Sequence, residues 1–572
     1  MQATEKFLSQ CTRYHILMFL PLFLPFIISG MQTMSFTFTA AVSPARCLIP
    51  DSDNDTLGPF YTPEISHDTF PMRFAPKKID RGKAMYCRYC PNGTDNNGNC
   101  TRENSIACDH GIIYDRSQYH STLSTKLDMV CESGAWKREL ATTMYMAGLL
   151  LGSASSGFLS DYFGRRNIFL AFSFIGIIAH HLRTVVTNYI LLCLLHLISG
   201  ALSHGAYVSA YVLIIELTSG TMRTVYGILT AGMFCVGYMF VGLMAYLIRN
   251  WQMLQLSLSV WTLLLVPHYW IMPPSIKWLL IQGRKDEAKK FIKQVAKLDG
   301  RSTSNEEIEK MIENDMKTMT EDTETEQSNI LSILKHWNLC RQAIIVFYCW
   351  FSASMLYYGL SLNSTNLPGD DYINYVLCGF MEIPGCIMVI IMLEKIGRKP
   401  THVLMMTLAG VSVVASAIIP TDYGWLIVTF AMLGKLCVAA AFAAIFNYTA
   451  ELFPTSMRNT AVGMGSTIAR VGSMIAPQIY LVGLYVEAWL PFFTYGCVAI
   501  LSGILLLLLP ETKNQNLPET LEDAVTIAAT ASVPSIQKLY SRINSVASFK
   551  GSTGPEDPQD SPGGLEVNKA LV

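Results

Sequence analysis

The sequence predicts an all-α membrane protein in which twelve transmembrane helices form two related groups of six. The chain has 572 residues, of which 51% are hydrophobic and 15% charged, whereas soluble proteins carry roughly a quarter charged residues. Apolar runs long enough to cross a bilayer recur along the chain, and its two halves repeat the same short motifs. Basic and acidic residues nearly balance, 42 against 43, so the overall charge predicts no nucleic-acid partner.

Membrane spans are predicted from apolar runs of about 20 residues, the length that crosses a bilayer. A charged stretch at 274–340 divides these runs into six and six. The first run contains Pro21 and Pro25, which membrane helices tolerate where neighbouring groups satisfy the freed backbone. The predicted spans are 14–40, 139–159, 167–186, 189–212, 226–248, 254–273, 342–362, 372–393, 402–420, 424–447, 460–483 and 490–509.

The spans divide the chain into five parts. An N-terminal segment, a six-helix bundle, a helical linker, a second six-helix bundle and a tail follow one another as 1–13, 14–273, 274–340, 341–510 and 511–572. The first bundle includes a long loop at 42–138. In the linker, Ser304 and Glu307 form a capping box ahead of a helix. The tail is rich in Ser, Pro and Gly, a composition typical of disordered segments.

Basic residues in the short loops predict the orientation, because cytoplasmic loops carry an excess of Lys and Arg. They place both termini and the linker in the cytoplasm and the 42–138 loop outside. The residues that give this orientation are Arg165, Arg166, Arg223, Lys395, Arg398 and Lys399.

The predicted outer loop contains six cysteines and three glycosylation sequons. Both features suit an oxidising extracellular surface, where the cysteines can form up to three disulfides in any of 15 pairings. The close spacing of Cys87 and Cys90 is also found in zinc sites, but the outer location favours disulfides, so no metal is expected. The sequons are Asn54, Asn92 and Asn99, and the cysteines are Cys47, Cys87, Cys90, Cys100, Cys108 and Cys131.

Two charged motifs occur once in each half. Residues 157–166 read GFLSDYFGRR and 393–399 read LEKIGRK, while 216–223 read ELTSGTMR and 451–458 read ELFPTSMR. Such repetition is typical of transporters in which two related bundles move around a central site. We expect ion pairs among these charges, including Glu216 with Arg223 and Glu451 with Arg458, to close the cytoplasmic end; the alternative is that they only set topology. The gating candidates are Asp161, Gly164, Arg165, Arg166, Glu216, Arg223, Glu394, Arg398, Glu451 and Arg458.

These motifs, with the cysteine-bearing outer loop and the LPET stretch at 509–512, resemble the organic cation, carnitine and organic anion transporter family of the major facilitator superfamily. The resemblance covers roughly residues 10–525 and implies the major facilitator fold, multi-pass in the plasma membrane. One departure is PPSIKW at 273–278, where the family usually has an acid at the position of Pro274.

Three charges within predicted spans are candidates for substrate binding, because charges inside a bilayer are costly and usually functional. They are Glu382, followed by Pro384 and Gly385, together with Lys435 and Arg470. A buried pair of Glu382 with Lys435 or with Arg470 that only holds helices together is the alternative. Aromatic faces attract ammonium groups, and the resemblance implies that aromatics of spans four and seven line the cavity. The aromatic candidates are Tyr207, Trp350, Tyr357, Tyr358, Phe442 and Phe446.

The charged residues Arg470 and Glu382 resemble different branches of the family. Arg470 resembles the anion and carnitine branches, whereas Glu382 resembles the cation and carnitine branches. An acid for an ammonium and an arginine for a carboxylate suit a zwitterion, so the sequence predicts a polyspecific transporter of organic cations or of zwitterions such as carnitine. An organic anion transporter and a solute sensor without transport are the alternatives. No P-loop or hydrolase motif is present in the sequence, so neither an enzyme nor a cofactor is expected, while sodium or proton coupling and contact with membrane lipid stay open.

Overall fold

The computed structural model describes residues 4, 7, 12–47, 78–80, 83–89, 105–218, 220–301, 303–324, 336–515, 518 and 521–530. Three of the sequence predictions therefore lie outside the described residues. These are the sequons at Asn54, Asn92 and Asn99, the cysteines Cys90 and Cys100, and the C-terminal tail beyond 530.

The N-terminal half is helical apart from the residues after its first span. Two breaks between helices follow from the sequence. Helix α1 ends at Leu22, shortly before Pro25, and Gly164, whose φ is +93°, separates two long helices. The helices are α1 Thr12–Leu22, α2 Leu24–Met34, α3 Phe36–Thr39, α4 Leu123–Lys126, α5 Cys131–Phe163, α6 Arg165–Val185, α7 Tyr189–Leu217, α8 Gly220–Leu247, α9 Trp251–Val260 and α10 His268–Ile271.

The linker and the C-terminal half continue the helical pattern. Ser304 and Glu307 each accept the other's backbone N–H at 3.1 Å, which confirms the capping box ahead of the second linker helix. The helices are α11 Ile276–Ile281, α12 Lys285–Asp299, α13 Asn305–Glu324, α14 Trp337–Leu362, α15 Asp371–Phe380, α16 Glu382–Lys395, α17 Arg398–Ile418, α18 Gly424–Leu452, α19 Thr455–Tyr485, α20 Leu490–Leu506 and α21 Leu521–Thr530.

Ten helical segments of the described chain are long and apolar enough to cross a membrane. Helix α5, of 33 residues, and helix α20, of 17 residues, correspond to the second and twelfth predicted spans. The predicted count of twelve stays a prediction, while the all-α membrane architecture is confirmed. The ten segments are Phe19–Thr39, Arg165–Val185, Tyr189–Leu217, Val225–Leu247, Trp251–Ile271, Trp337–Leu362, Asp371–Lys395, Arg398–Ile418, Thr421–Leu452 and Thr460–Tyr485.

Short strands follow the first span and form two small sheets. The larger sheet has the order β2-β3-β1-β6, in which β1 is parallel to β3 and antiparallel to β6. Disulfides join Cys47 to Cys108 and Cys87 to Cys131, so the second bridge ties this segment to the start of α5. The strands are β1 Ala45–Cys47, β2 Lys78–Asp80, β3 Lys83–Tyr86, β4 Arg88–Tyr89, β5 Ile106–Ala107 and β6 Ile112–Tyr114.

The strands and the linker lie at opposite ends of the helix bundle. We call the end that carries the two disulfides the disulfide end, and the end that carries α11 to α13 the linker end. The apolar face of α12, with Phe291 and Ile292, is buried with Ile308 of α13 and joins the core of the N-terminal half. The backbone N–H of Arg13 donates to Asp299 at 3.0 Å, which fixes α1 to the same end.

Candidate substrate-binding site

A break between α15 and α16 places an acidic side chain near the centre of the bundle. Pro384 has no N–H to donate to the carbonyl of Phe380, where α15 ends, and α16 begins two residues later at Glu382. Glu382 is 5% exposed. Its carboxylate accepts the hydroxyl of Tyr357 at 2.7 Å and the thiol of Cys235 at 2.9 Å. Because Cys235 is on α8 and Glu382 on α16, this contact joins the two halves of the molecule.

Lys435 is the cation that pairs with Glu382. Its Nζ lies 2.9 Å from the carboxylate, donates to Ser361 Oγ at 2.6 Å and is 3.3 Å from the centroid of the Tyr357 ring. Lys435 is fully buried, so its charge is satisfied by an ion pair, a hydroxyl and an aromatic face. The buried pair that the sequence left as an alternative is therefore formed with Lys435 rather than with Arg470.

Arg470 has different partners from Glu382. Its Nη1 donates to the hydroxyl of Tyr358 at 2.9 Å, and its Nε has no hydrogen-bond partner among the described residues. Arg470 interacts electrostatically with His204 and Tyr207 of α7, so it faces the N-terminal half across the centre of the bundle. Because Tyr357 and Tyr358 are adjacent, with ring centroids 5.1 Å apart, the two opposite charges lie on either side of one turn of α14.

Aromatic rings from α14 and α18 pack beside these charges. Trp350 lies 4.4 Å from Phe446 and 5.8 Å from Phe442, and Phe442 lies 5.9 Å from Tyr357, all between ring centroids. Trp350 is fully buried and donates its indole N–H to Thr449 at 3.0 Å, so it packs behind the other rings. Tyr207, on the opposite half, packs edge-on against Phe26 at 4.8 Å.

The structure thus brings together seven of the nine predicted binding residues on the C-terminal half, with Tyr207 facing them and Trp350 behind them. Sequence reasoning missed Cys235 and Ser361, which complete the Glu382–Lys435 pair. Both are small residues in apolar helices, and nothing in their spacing distinguishes them from packing residues.

At the linker end of the N-terminal half, Arg165 connects the two charged motifs. It lies 2.8 Å from Asp161 and 3.1 Å from Glu216, whose other oxygen accepts the hydroxyl of Ser275 at 2.5 Å. The expected pair of Glu216 with Arg223 is not formed: Glu216 contacts Arg165 and Ser275, while Arg223 donates to the carbonyl of Thr218 at 3.0 Å. Two further contacts complete this end: Arg166 donates to the Tyr269 carbonyl at 2.7 Å, and Gly164 faces the ring of Trp278.

The C-terminal half repeats this arrangement. Arg398 donates to Glu451 at 2.9 Å, and the hydroxyl of Thr512 donates to the same carboxylate at 2.6 Å. Arg458 is therefore not the partner of Glu451, and its Nε and Nη2 have no hydrogen-bond partner among the described residues. The exposed Glu394 makes no ion pair within the described part of the chain. In both halves, the glutamate pairs with the arginine that directly follows the positive-φ glycine. It does not pair with the arginine that lies seven residues after the glutamate itself.

The two halves are in contact at the disulfide end. Thr143 of α5 accepts a hydrogen bond from Gln478 of α19 at 2.7 Å, and Tyr375 of α15 donates to the Met34 carbonyl at 3.1 Å. Tyr119, before α4, donates to Asp371 at 2.8 Å. Burial, and then the nearby Asp371 carboxylate, raise the pKa of Tyr119 well above its usual value, so this phenol keeps its proton.

At the linker end, by contrast, no hydrogen bond or ion pair between described residues joins the two halves. The side chains of Phe158 and Tyr162, near the end of α5, are 78% and 71% exposed there. Among the described residues, the hydrogen bonds between the two halves therefore lie at the disulfide end and at the centre of the bundle.

The comparisons with known proteins agree with this architecture. A model of the family described as "Sugar (and other) transporter" matches residues 113–523. The chain is 32% identical to the organic cation transporter protein of Drosophila melanogaster, over 87% of this chain and 90% of that relative. It is 31% identical to human organic cation/carnitine transporter 2, over 91% and 93% of the two chains, and 31% identical to rat solute carrier family 22 member 12, over 89% and 93%. This chain belongs to solute carrier family 22.

Solved structures give the same fold. A proton:xylose symporter of the major facilitator superfamily, bound to 6-bromo-6-deoxy-D-glucose, matches with a TM-score of 0.58 at 14% identity, over 90% of this chain and 99% of that one. The inward-open form of the xylose transporter of E. coli matches with a TM-score of 0.57 at 13% identity, over 88% and 98%. The family resemblance and the major facilitator fold predicted from the motifs are thus confirmed, and the chain is a multi-pass membrane protein of a transporter family rather than an enzyme.

Proposed function

We propose that this protein is a plasma-membrane transporter of small organic ions, with zwitterions such as carnitine as its preferred class. The observation that carries this proposal is that Arg470 and Glu382 lie on either side of Tyr357 and Tyr358 without pairing with each other. The Nε of Arg470, which is buried and has no hydrogen-bond partner within the described part of the chain, suits a substrate carboxylate. The rings of Tyr357, Phe442 and Phe446 beside Glu382 suit an ammonium group. Relatives named as organic cation and carnitine transporters support the same class.

Transport in this proposal proceeds by alternating access. The hydrogen bonds between the halves at the disulfide end, and their absence between described residues at the linker end, support a state that opens toward the linker end, which the basic loops assign to the cytoplasm. To open the other end, the contacts of Thr143, Tyr119 and Met34 with the C-terminal half must break. The thiol contact from Cys235 to Glu382 also joins the halves, so occupancy at Glu382 is coupled to the movement of α8 against α16.

The test is uptake of labelled carnitine into cells that express the full chain, with and without external sodium and at two external pH values. Saturable uptake above vector controls is expected, and its ion dependence reports sodium or proton coupling. Arg470→Gln should raise KM for carnitine by about 10- to 100-fold, the loss expected for a charged hydrogen bond, while KM for a simple organic cation changes much less. Glu306→Gln, at an exposed position of the linker helix α13 outside the binding and gating residues, serves as the control variant and should resemble the wild type.

A second candidate, an organic anion transporter, follows from the pairing of Glu382. Because Lys435 already neutralises that carboxylate, the central site carries the net positive charge of Arg470. If this candidate is right, the protein transports a dicarboxylate or an aromatic carboxylate but not carnitine. Arg470→Gln then abolishes uptake of the carboxylate. Saturable binding of either class without accumulation in cells would instead indicate a sensor.

A further inference from the structure

A second charged cluster lies in the N-terminal half, away from the central site. Arg183, in the last turn of α6, is 2% exposed. Its Nη1 donates to Ser199 of α7 at 3.1 Å and its Nη2 to Gln255 of α9 at 3.1 Å. The guanidinium also lies 5.7 Å from the centroid of the Tyr145 ring of α5. Four helices therefore meet around this one cation near the disulfide end.

Within the described part of the chain, the buried positive charge of this cluster has no negative partner. No ion pair involving Arg183 exists among the described residues, and its hydrogen-bond acceptors there are a hydroxyl and a neutral amide. The other titratable side chains that interact with it, Tyr145 of α5, His180 of α6 and His196 of α7, bring no carboxylate. Burying an unpaired charge is strongly unfavourable. By comparison, the fully buried Arg138 and Lys435 each contact a carboxylate.

Two donors in this cluster also lack acceptors. Arg183 Nε and Gln255 Nε2 are buried and have no hydrogen-bond partner among the described residues. Because Gln255 accepts from Arg183 through Oε1, its Nε2 lies beside the same guanidinium. A positive charge and two unsatisfied N–H groups are the requirements for binding an anion.

We propose that Arg183 and Gln255 bind a small inorganic anion, with chloride as the representative, within the N-terminal half at the disulfide end. The enclosing side chains Tyr145, Ser199 and Gln255 are each no more than 3% exposed, which limits the ligand to a compact ion and excludes an organic substrate. The anion acts as the counter-ion of Arg183 and holds α6, α7 and α9 together. This site is independent of Glu382 and Arg470.

The test uses the purified full-length protein in lipid nanodiscs, with chloride replaced stepwise by gluconate at constant ionic strength. Chloride should raise the apparent Tm saturably, by on the order of 1–2 °C as scaled from smaller chains, and bromide should act in the same way. Gln255→Glu places a carboxylate of the same shape beside Arg183 Nη2. Its Tm in gluconate should match that of the wild type in chloride, with no further response to chloride.

Three results with these proteins would overturn the proposal, and a substitute variant adds a fourth. One is a wild-type Tm that does not respond to chloride, which means that water alone satisfies these donors. Another is a chloride response that persists in Gln255→Glu. The third is loss of the chloride response in Arg470→Gln, which would assign the ion to the central site. The proposal expects Arg470→Gln to keep the chloride response. If Gln255→Glu does not fold, Gln255→Met removes the Nε2 donor and should weaken the apparent chloride affinity at least tenfold, whereas unchanged affinity contradicts the site.

Discussion

A few side chains at the centre of the bundle determine the charge of the central site. Glu382 accepts from Tyr357 and Cys235 and pairs with Lys435, which itself contacts Ser361 and the Tyr357 ring. A substrate ammonium that approaches Glu382 must therefore compete with Lys435, whereas the buried Nε of Arg470 has no hydrogen-bond partner among the described residues that a carboxylate would have to displace. This difference favours substrates that carry a carboxylate and makes the Glu382–Lys435 pair the control point for cations.

We expect Lys435→Met to lower stability by about 3–5 kcal/mol, because it leaves the Glu382 carboxylate buried without its counter-ion. The double variant Lys435→Met/Glu382→Gln should recover most of that loss, since both charges are then absent. Apparent Tm measurements in nanodiscs, with and without a quaternary ammonium ligand, test this expectation. The ligand should stabilise the single variant more than the double variant. Additive losses in the double variant would mean that the two side chains do not interact.

At the level of helices, the sequence predicts features that depend on neighbouring residues, but not contacts between residues that are far apart in the chain. Apolar runs predicted the ten segments that are long enough to cross a membrane, and Ser304 with Glu307 predicted a helix start. Pro384 explains the break before Glu382. These features depend on neighbours in sequence. The pairing of Glu216 with Arg165, 51 residues earlier, depends on how the ends of α6 and α7 meet. Spacing along the chain could not predict this pairing, and likewise could not decide whether Lys435 or Arg470 pairs with Glu382.

The halves also differ at one helix start, and this difference predicts a stabilising substitution. Glu511 accepts the backbone N–H groups of Arg398 and Lys399 at 2.9 and 3.1 Å, at the start of α17. Because Ser275 and Thr512 make matching contacts in the two halves, Pro274 occupies the position of Glu511 and offers no carboxylate to α6.

We expect Pro274→Glu to stabilise the N-terminal half by about 1 kcal/mol, and Glu511→Ala to destabilise the C-terminal half by a similar amount, the usual size of a capping effect. Thermal unfolding of the purified variants measures both changes. Pro274→Ala is the matched control, because it removes the proline without adding a carboxylate. If Pro274→Ala raised the Tm as much as Pro274→Glu, the gain would come from the backbone and the capping explanation would fail.

At the level of the whole molecule, the hydrogen bonds that join the halves among the described residues lie at the centre and at the disulfide end. Linking the halves where they touch should therefore hold the protein in this state.

We expect the double variant Thr143→Cys/Gln478→Cys, treated with an oxidant or a short thiosulfonate cross-linker, to lose nearly all uptake, because α5 and α19 can no longer separate. A reducing agent should restore uptake after oxidation. The single variants Thr143→Cys and Gln478→Cys, treated in the same way, control for reaction at the native cysteines. Full uptake by a protein shown to be cross-linked would mean that the disulfide end does not open during transport, and alternating access between these two halves would have to be abandoned.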